Sequence, residues 1–227
     1  MAGMKNFWEF KEDFFGAGTA LAADGYLNGM RFEMTTNSTL AYVNGAPSGA
    51  VSMAQTSANE AQNACLYIAD AGTSTLNMDL RDRLYFECRL KMNQATLDAT
   101  SIFRVGVGSA RADNTDNVAI SAYFGLTGAN TSIGVECDDA TNETAVTNSG
   151  RTLGTTYKVL AIDMQNTSDI RFLVDGERVL PNTTFTIGSF NTSTPCVCPQ
   201  FQIQKTASTA ADGVTIDYVY VSGRRAY

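Results

Sequence analysis

Histidine is absent from this sequence of 227 residues. That single absence removes the Ser–His and Cys–His nucleophile systems and the commonest zinc ligand together. Basic residues are also scarce: 16 Lys and Arg stand against 23 Asp and Glu, for a net charge of −7. Nucleic acid and anionic membrane surfaces both need a basic face, so neither is expected as a partner. No apolar run approaches the roughly 20 residues that a membrane-spanning helix requires. The opening stretch MAGMKNFWEFKEDFF lacks a basic segment followed by an apolar one, so no secretion signal is expected. The five cysteines (Cys65, Cys88, Cys137, Cys196, Cys198) are odd in number, which fits free thiols in a protein made in a reducing cytoplasm.

What the sequence does contain is strand pattern. LYFECRLKM (84–92) alternates: Leu84, Phe86, Cys88, Leu90 and Met92 face one way, and Tyr85, Glu87, Arg89 and Lys91 the other. Period two of this kind marks an antiparallel strand with one wet face. Strands are also expected at 101–110, 117–126, 131–137, 157–164, 196–206 and 214–223. The first half reads less clearly, with strands at 6–10, 29–35, 40–44, 49–55 and 64–70. Residues 56–64 read as a loop between strands. IRFLVDGERVL (170–180) holds Asp175-Gly176 between apolar runs, a strong signal for a tight hairpin. About a dozen antiparallel strands with no convincing amphipathic helix give an all-β protein, a sandwich or jelly roll. No repeat or linker divides it, so one domain over 16–227 is expected after an N-terminal segment, 1–15.

Several stretches carry a resemblance. YKVLAIDMQNTSDIRFLVDGERV (157–179), the closing TIDYVYVSGRR (215–225) and DRLYFECRLKM (82–92) resemble strands of the concanavalin A-like sandwiches, the laminin-G and glucanase-like group. EDFFG (12–16), with GAVSM (49–53) further on, is similar to the version found in structural proteins of tailed bacteriophages. The resemblance implies a single concanavalin A-like β-sandwich and a place on a virion.

Glucanase-like members of this group carry three carboxylates as E-x-D-x-x-E. The nearest stretch here is ECDDATNE, with Glu136, Asp138 and Glu143, and Thr141 stands where the third carboxylate belongs. Glu143 is seven residues from Glu136, roughly 23 Å along an extended strand. A retaining pair needs carboxyl groups about 5–5.5 Å apart. Unless a bulge or turn intervenes, no catalytic residues are expected. The Asp and Asn clusters at 113–117 and 138–143 have no calcium-loop spacing and read as ordinary turns. Cys196 and Cys198 lack the further ligands of a tetrahedral site. No metal and no cofactor are expected.

The aromatic run Phe7, Trp8 and Phe10 is the candidate partner-binding element, an arm that docks on a neighbouring subunit; the other reading pairs it near the C-terminal strand and buries its rings. VTIDYVYV (214–221) reads as apolar on both faces, which asks for cover on both and favours a homotrimer. Taken together, these features point to a non-enzymatic virion structural protein, a capsid decoration protein seated on the major capsid protein or another virion protein. The alternative is a carbohydrate-binding module of a phage appendage recognising a surface glycan, with Tyr85, Tyr123, Tyr218 and Tyr220 as candidate platforms, or a degenerate glycosidase.

Overall fold

The computed structural model describes residues 7–16, 25–35, 37–68, 78–112, 118–141, 143–188 and 196–224. The first half of the chain forms β1 (Phe7–Glu12), β2 (Gly25–Leu27), β3 (Met30–Met34), β4 (Ser38–Tyr42), β5 (Val51–Gln55), β6 (Glu60–Tyr67) and β7 (Met78–Asp79). After a 3-10 turn at Leu80–Asp82 come β8 (Leu84–Met92), β9 (Ser101–Gly108), β10 (Ile120–Thr127), β11 (Ser132–Asp139) and β12 (Glu143–Thr152). The remainder forms β13 (Lys158–Met164), β14 (Arg171–Val174), β15 (Glu177–Arg178), β16 (Cys196–Ser208) and β17 (Gly213–Arg224).

These strands make two antiparallel sheets packed as a sandwich. One runs β15-β14-β13-β8-β17-β5-β4, with β1 beside β17. The other runs β12-β11-β10-β9-β16-β6-β3-β2, with β7 beside β16. The expected all-β sandwich is what forms. It has more strands than the dozen expected, among them β2 and β7, which are two or three residues long, and β12.

The alternation of β8 holds at every position, with its five apolar side chains buried. Phe86 from β8 meets Phe201 from β16 at 6.3 Å between ring centroids, joining the middles of the two sheets. Phe172 packs edge-on against both Phe124 and Phe185, at 5.2 and 5.1 Å. The 175–176 turn is primed: Asp175 has φ 51° and Gly176 φ 82°, matching the twist of β14 and β15.

Three sequence expectations are corrected. Residues 60–64 belong to β6, although 56–64 reads as a loop. The segment hid because Gln62 and Asn63 are both buried, one on each face, so no apolar alternation shows. Strand β12 was not expected at all, since it is an edge strand with neither face buried. Finally, β17 is not apolar on both faces. Its register against β8 slips between Ile216 and Tyr218, a bulge at Asp217. The slip keeps Val214, Ile216, Val219 and Val221 buried while Tyr218 and Tyr220 stay half-exposed. With its tyrosines on a partly solvated face, β17 does not need the second cover that an apolar outer face would require.

Candidate functional site

The register of the nine-stranded sheet places its outward side chains in four rows across the strands. Asn63, Gln204, Ile102 and Thr127 form the first row. The second holds Cys65, Gln202, Arg104, Gly125, Gly134 and Asn148. Tyr67, Gln200, Gly106, Tyr123 and Glu136 make the third, and Cys198, Gly108, Ser121, Asp138 and Glu143 the fourth. Polar groups dominate this outer face.

Half of it is roofed. The segment 109–112 leaves β9 and crosses above β16, held by amides from below. Gln200 Nε2 donates to the Ala110 carbonyl at 2.8 Å, and Gln202 Nε2 donates to the Ala112 carbonyl at 2.9 Å. Arg111 reaches Glu33 at 2.9 Å, and Glu33 also accepts from Tyr67 Oη at 2.8 Å. Beneath the segment, Tyr123 Oη donates to Gln200 Oε1 at 3.2 Å. Glycine is required at 108, because a β-carbon there would collide with the Tyr123 hydroxyl. Burial holds the Tyr123 phenol well above its ordinary pKa, so it remains a donor.

The first row lies open. It floors a groove of about 500 Å³ lined by Thr35, Ala61, Asn63, Thr100, Ile102, Gln204 and Thr206. Beyond Thr127 the same face opens again over Gly125, Asn130, Ser132, Gly134 and Asn148. Among the described residues two cations adjoin these surfaces, and both are partnered. Arg104 is buried, with Nε 3.3 Å from Glu136 Oε1, and its Nη1 donates to Thr127 Oγ1 at 3.2 Å. Lys205 Nζ is bound by backbone carbonyls. What a ligand meets is methyl and methylene surface edged by amides and hydroxyls. Amides donate and accept at once, as sugar hydroxyls require. This set of residues was not singled out from the sequence. The signal was there: in QFQIQK (200–205), Gln alternates with apolar residues, and Gln200, Gln202 and Gln204 therefore share the outer face.

The three carboxylates come closer than their spacing implies. The chain reverses after Asp139, and Glu143 pairs directly with Asp138 across the β11–β12 hairpin. The estimate of an extended separation is thereby corrected. Glu136 is tied to Arg104, Asp138 Oδ1 accepts from the Ala140 amide at 2.8 Å, and Thr141 keeps the third place. Residues 113–117 lie outside the described residues. Among the described residues no group of three or more His, Cys, Asp or Glu could hold a metal ion.

Of the tyrosines, Tyr123 is buried on this sheet, while Tyr85, Tyr218 and Tyr220 come together on the outer face of the other one. Tyr85 and Tyr218 each donate to Glu87 at 2.7 Å, and Tyr85 meets Tyr220 edge-on at 6.3 Å. Arg89 lies 4.4 Å over the ring of Tyr157 beside them. The N-terminal aromatics sit on β1, which pairs with β17 from Phe7–Arg224 to Glu12–Val219. Trp8 and Phe10 pack against the core, and Trp8 Nε1 donates to Asp82 Oδ2 at 3.3 Å. Phe7 turns outward and is 54% exposed. Residues 1–6 lie outside the described residues.

No family model and no curated protein sequence matches the chain. Solved structures of similar fold do. A protein of unknown function from Shewanella oneidensis MR-1 aligns over 97% of this chain and 90% of its own, at 11% identity and a TM-score of 0.60. A structure from work on endo-acting O-glycanases of human gut microbiota, which initiate mucin breakdown, aligns over 95% and 99%, at 8% identity and 0.58. The carbohydrate recognition domain of Emp47p aligns over 87% and 90%, at 9% identity and 0.54. At such identities the likeness is one of fold alone: a concanavalin A-like β-sandwich.

Proposed function

We propose that this protein is a non-catalytic carbohydrate-binding domain whose glycan lies in the open groove of the nine-stranded sheet. The observation that carries the reading is the lining itself. Ile102, Ala61 and the threonine methyls offer surface for the apolar face of a sugar ring, edged by the Gln204 amide and the hydroxyls of Thr100 and Thr206. Both nearby cations are already partnered, which favours a neutral glycan over a charged one. Two of the similar structures are named for recognising or acting on glycans, which accords with this reading. With Glu136 paired to Arg104 and Thr141 in the third place, the carboxylate group supports no hydrolytic role.

A glycan array followed by calorimetry tests it. The wild type binds a neutral glycan, Gln204→Ala and Thr206→Ala each weaken it by about 3–10-fold, and Glu87→Ala on the opposite sheet leaves it unchanged. Binding that survives both groove substitutions, or no binding across the array, overturns the assignment.

A second role is compatible with the first. Phe7 and Phe15 are exposed, and β1 pairs only with β17 among the described strands, leaving a free edge. Phe7 is exposed at one end of this edge, while Glu9 and Lys11 make the rest of it polar, which favours docking through the ring over strand addition. On that basis we also propose attachment to a virion protein through Phe7 as a homo-oligomer, the capsid-decoration role. Mass spectrometry of purified particles decides it: hundreds of copies support the head, and none removes the virion reading.

A further inference from the structure

Lys205 continues the inward row of β16 after Phe201 and Ile203, in a place where a core residue would be expected, and it is 3% exposed. Its Nζ lies within hydrogen-bond distance of four backbone carbonyls, Thr56 at 2.6 Å, Ala58 at 3.1 Å, Ser208 at 2.7 Å and Ala210 at 2.7 Å, so that one of its three protons is shared between two of them. Four carbonyl oxygens converging on one positive centre replace a hydration shell, which is how protein backbones hold bare alkali cations. Here the cation is covalently attached.

The carbonyls come from two separate segments. Thr56 and Ala58 precede β6, and Ser208 and Ala210 lie where β16 ends. Gln62 ties the first segment down as well, accepting from the Thr56 amide at 2.8 Å and donating to Thr56 Oγ1 at 3.0 Å. The register of β16 on β6 slips between Lys205 and Ser208. The two residues inside that slip, Thr206 and Ala207, line the open groove, as do Ala61 and Asn63 on β6. Lys205 and Gln62 line the groove with them, and the ammonium joins the two segments that shape it.

We propose that Lys205 is the positioning residue of the groove, a built-in cation that clamps segments 56–58 and 208–210 so that the groove keeps its form without a metal ion. The clamp stands on its own geometry; its effect on ligand affinity rests on the glycan-binding reading. Removing the side chain leaves four carbonyls facing a space shaped for an alkylammonium ion. Filling that space with an uncharged chain of similar bulk leaves the same carbonyls buried without a donor.

The experiment compares wild type, Lys205→Ala and Lys205→Met by thermal midpoint, by amide hydrogen exchange at 56–60 and 206–210, and by glycan titration. Each is measured in sodium chloride, in propylammonium chloride, which supplies the deleted atoms, and in tetramethylammonium chloride, which is too large and cannot donate. Both variants should lose about 10 °C, because a buried set of polar partners is left unpaired. Exchange in the two segments should rise about tenfold or more, while the Phe86–Phe201 core stays protected. Propylammonium should restore Lys205→Ala in part and Lys205→Met not at all. Chelator should leave wild-type glycan affinity unaltered. The clamp is overturned if propylammonium does not move Lys205→Ala, or if Lys205→Met exchanges like wild type. Should the wild type bind no glycan while the rescue holds, the clamp stands and the glycan reading falls. Glycan affinity unchanged in Lys205→Met, with exchange raised, removes the positioning role alone.

Discussion

The side chain of Arg104 lies flat across Gly125, so that a β-carbon on Gly125 would overlap its Nη1 and stand 2.9 Å from both Cδ and Cζ. Glycine at 125 is what lets the guanidinium reach Glu136 and Thr127 while staying buried. Gly125→Ala must lift that side chain off the sheet, at a cost of about 1–3 kcal/mol. Gly134→Ala on the next strand meets only the Val146 side chain, which is exposed and free to turn. Thermal unfolding should therefore show a clear loss for Gly125→Ala and little for Gly134→Ala, and glycan affinity should follow the same order.

The opposite face makes its own prediction about pH. Burial first, and then the hydrogen bond to the Glu87 carboxylate, raise the phenols of Tyr85 and Tyr218 above the ordinary 10.0. A group whose pKa is raised by folding contributes stability that is full below its unfolded value and disappears as pH rises past it. Stability should fall above pH 10, and ultraviolet titration should find these two phenolates forming only as the protein unfolds. In Glu87→Gln, which removes the negative charge, they should ionise at lower pH.

In acid the sign reverses. Arg81 holds the Asp79 carboxyl below its ordinary value, and Asp175 is also lowered, burial being outweighed by the bonds from Lys158 Nζ at 2.6 Å and the Val159 amide at 3.0 Å. Stability from such groups is present above their unfolded value of 3.8 and is lost as pH drops below it. Asp175→Asn, which tolerates the φ of 51° but removes the charge, should cost about 0.2–1 kcal/mol at neutral pH, because solvent screens this half-exposed pair, and should flatten the acid limb of the stability curve. Gly176→Ala, at φ 82°, should cost about 1–2 kcal/mol with no change in that limb.

All five cysteines are free thiols, and four are buried. Burial raises the thiols of Cys88 and Cys137, and pushes Cys198 up to about 12. Only Cys196 has partial access to solvent, and burial followed by Asp79 raises it as well. Alkylation of the native protein at neutral pH should add one group slowly, at Cys196, whereas denatured protein without reductant should add five. Three adducts in the denatured protein would mean one disulfide, and one adduct would mean two.

Where burial is one-sided, the strands were legible: β8 and the β14–β15 hairpin follow from alternation and from Asp175-Gly176. Strand β12 escaped because an edge strand with two wet faces has no hydrophobic phase to read. The carboxylate geometry escaped with it, since the reversal that brings Glu143 opposite Asp138 is the turn into β12. The groove was harder still. Asn63, Gln204 and Ile102 come from three strands, and only the register shows that they share one row. Lys205 was hidden for the opposite reason: a charged residue at an inward position reads as a break in the pattern, and its partners are backbone atoms that carry no sequence signature.

The bulge at Asp217 sets which residues of β17 belong to which side, and it does so by a single count. Val214 and Ile216 lie before it, Val219 and Val221 after it, and all four are buried. Deleting Asp217 itself would leave Ile216 opposite Leu90 and Tyr218 opposite Arg89 with nothing between them, so Val219 and Val221 would stay inward in a regular strand and the carboxylate that meets Arg89 would be lost. Removing Val219 while the bulge is kept would instead carry Tyr220 inward and drive Val221 to the surface. Lineages that diverge from this chain can exchange the tyrosines of the outer face residue by residue and can lose the bulged residue, but they must keep the alternation from Tyr218 onward.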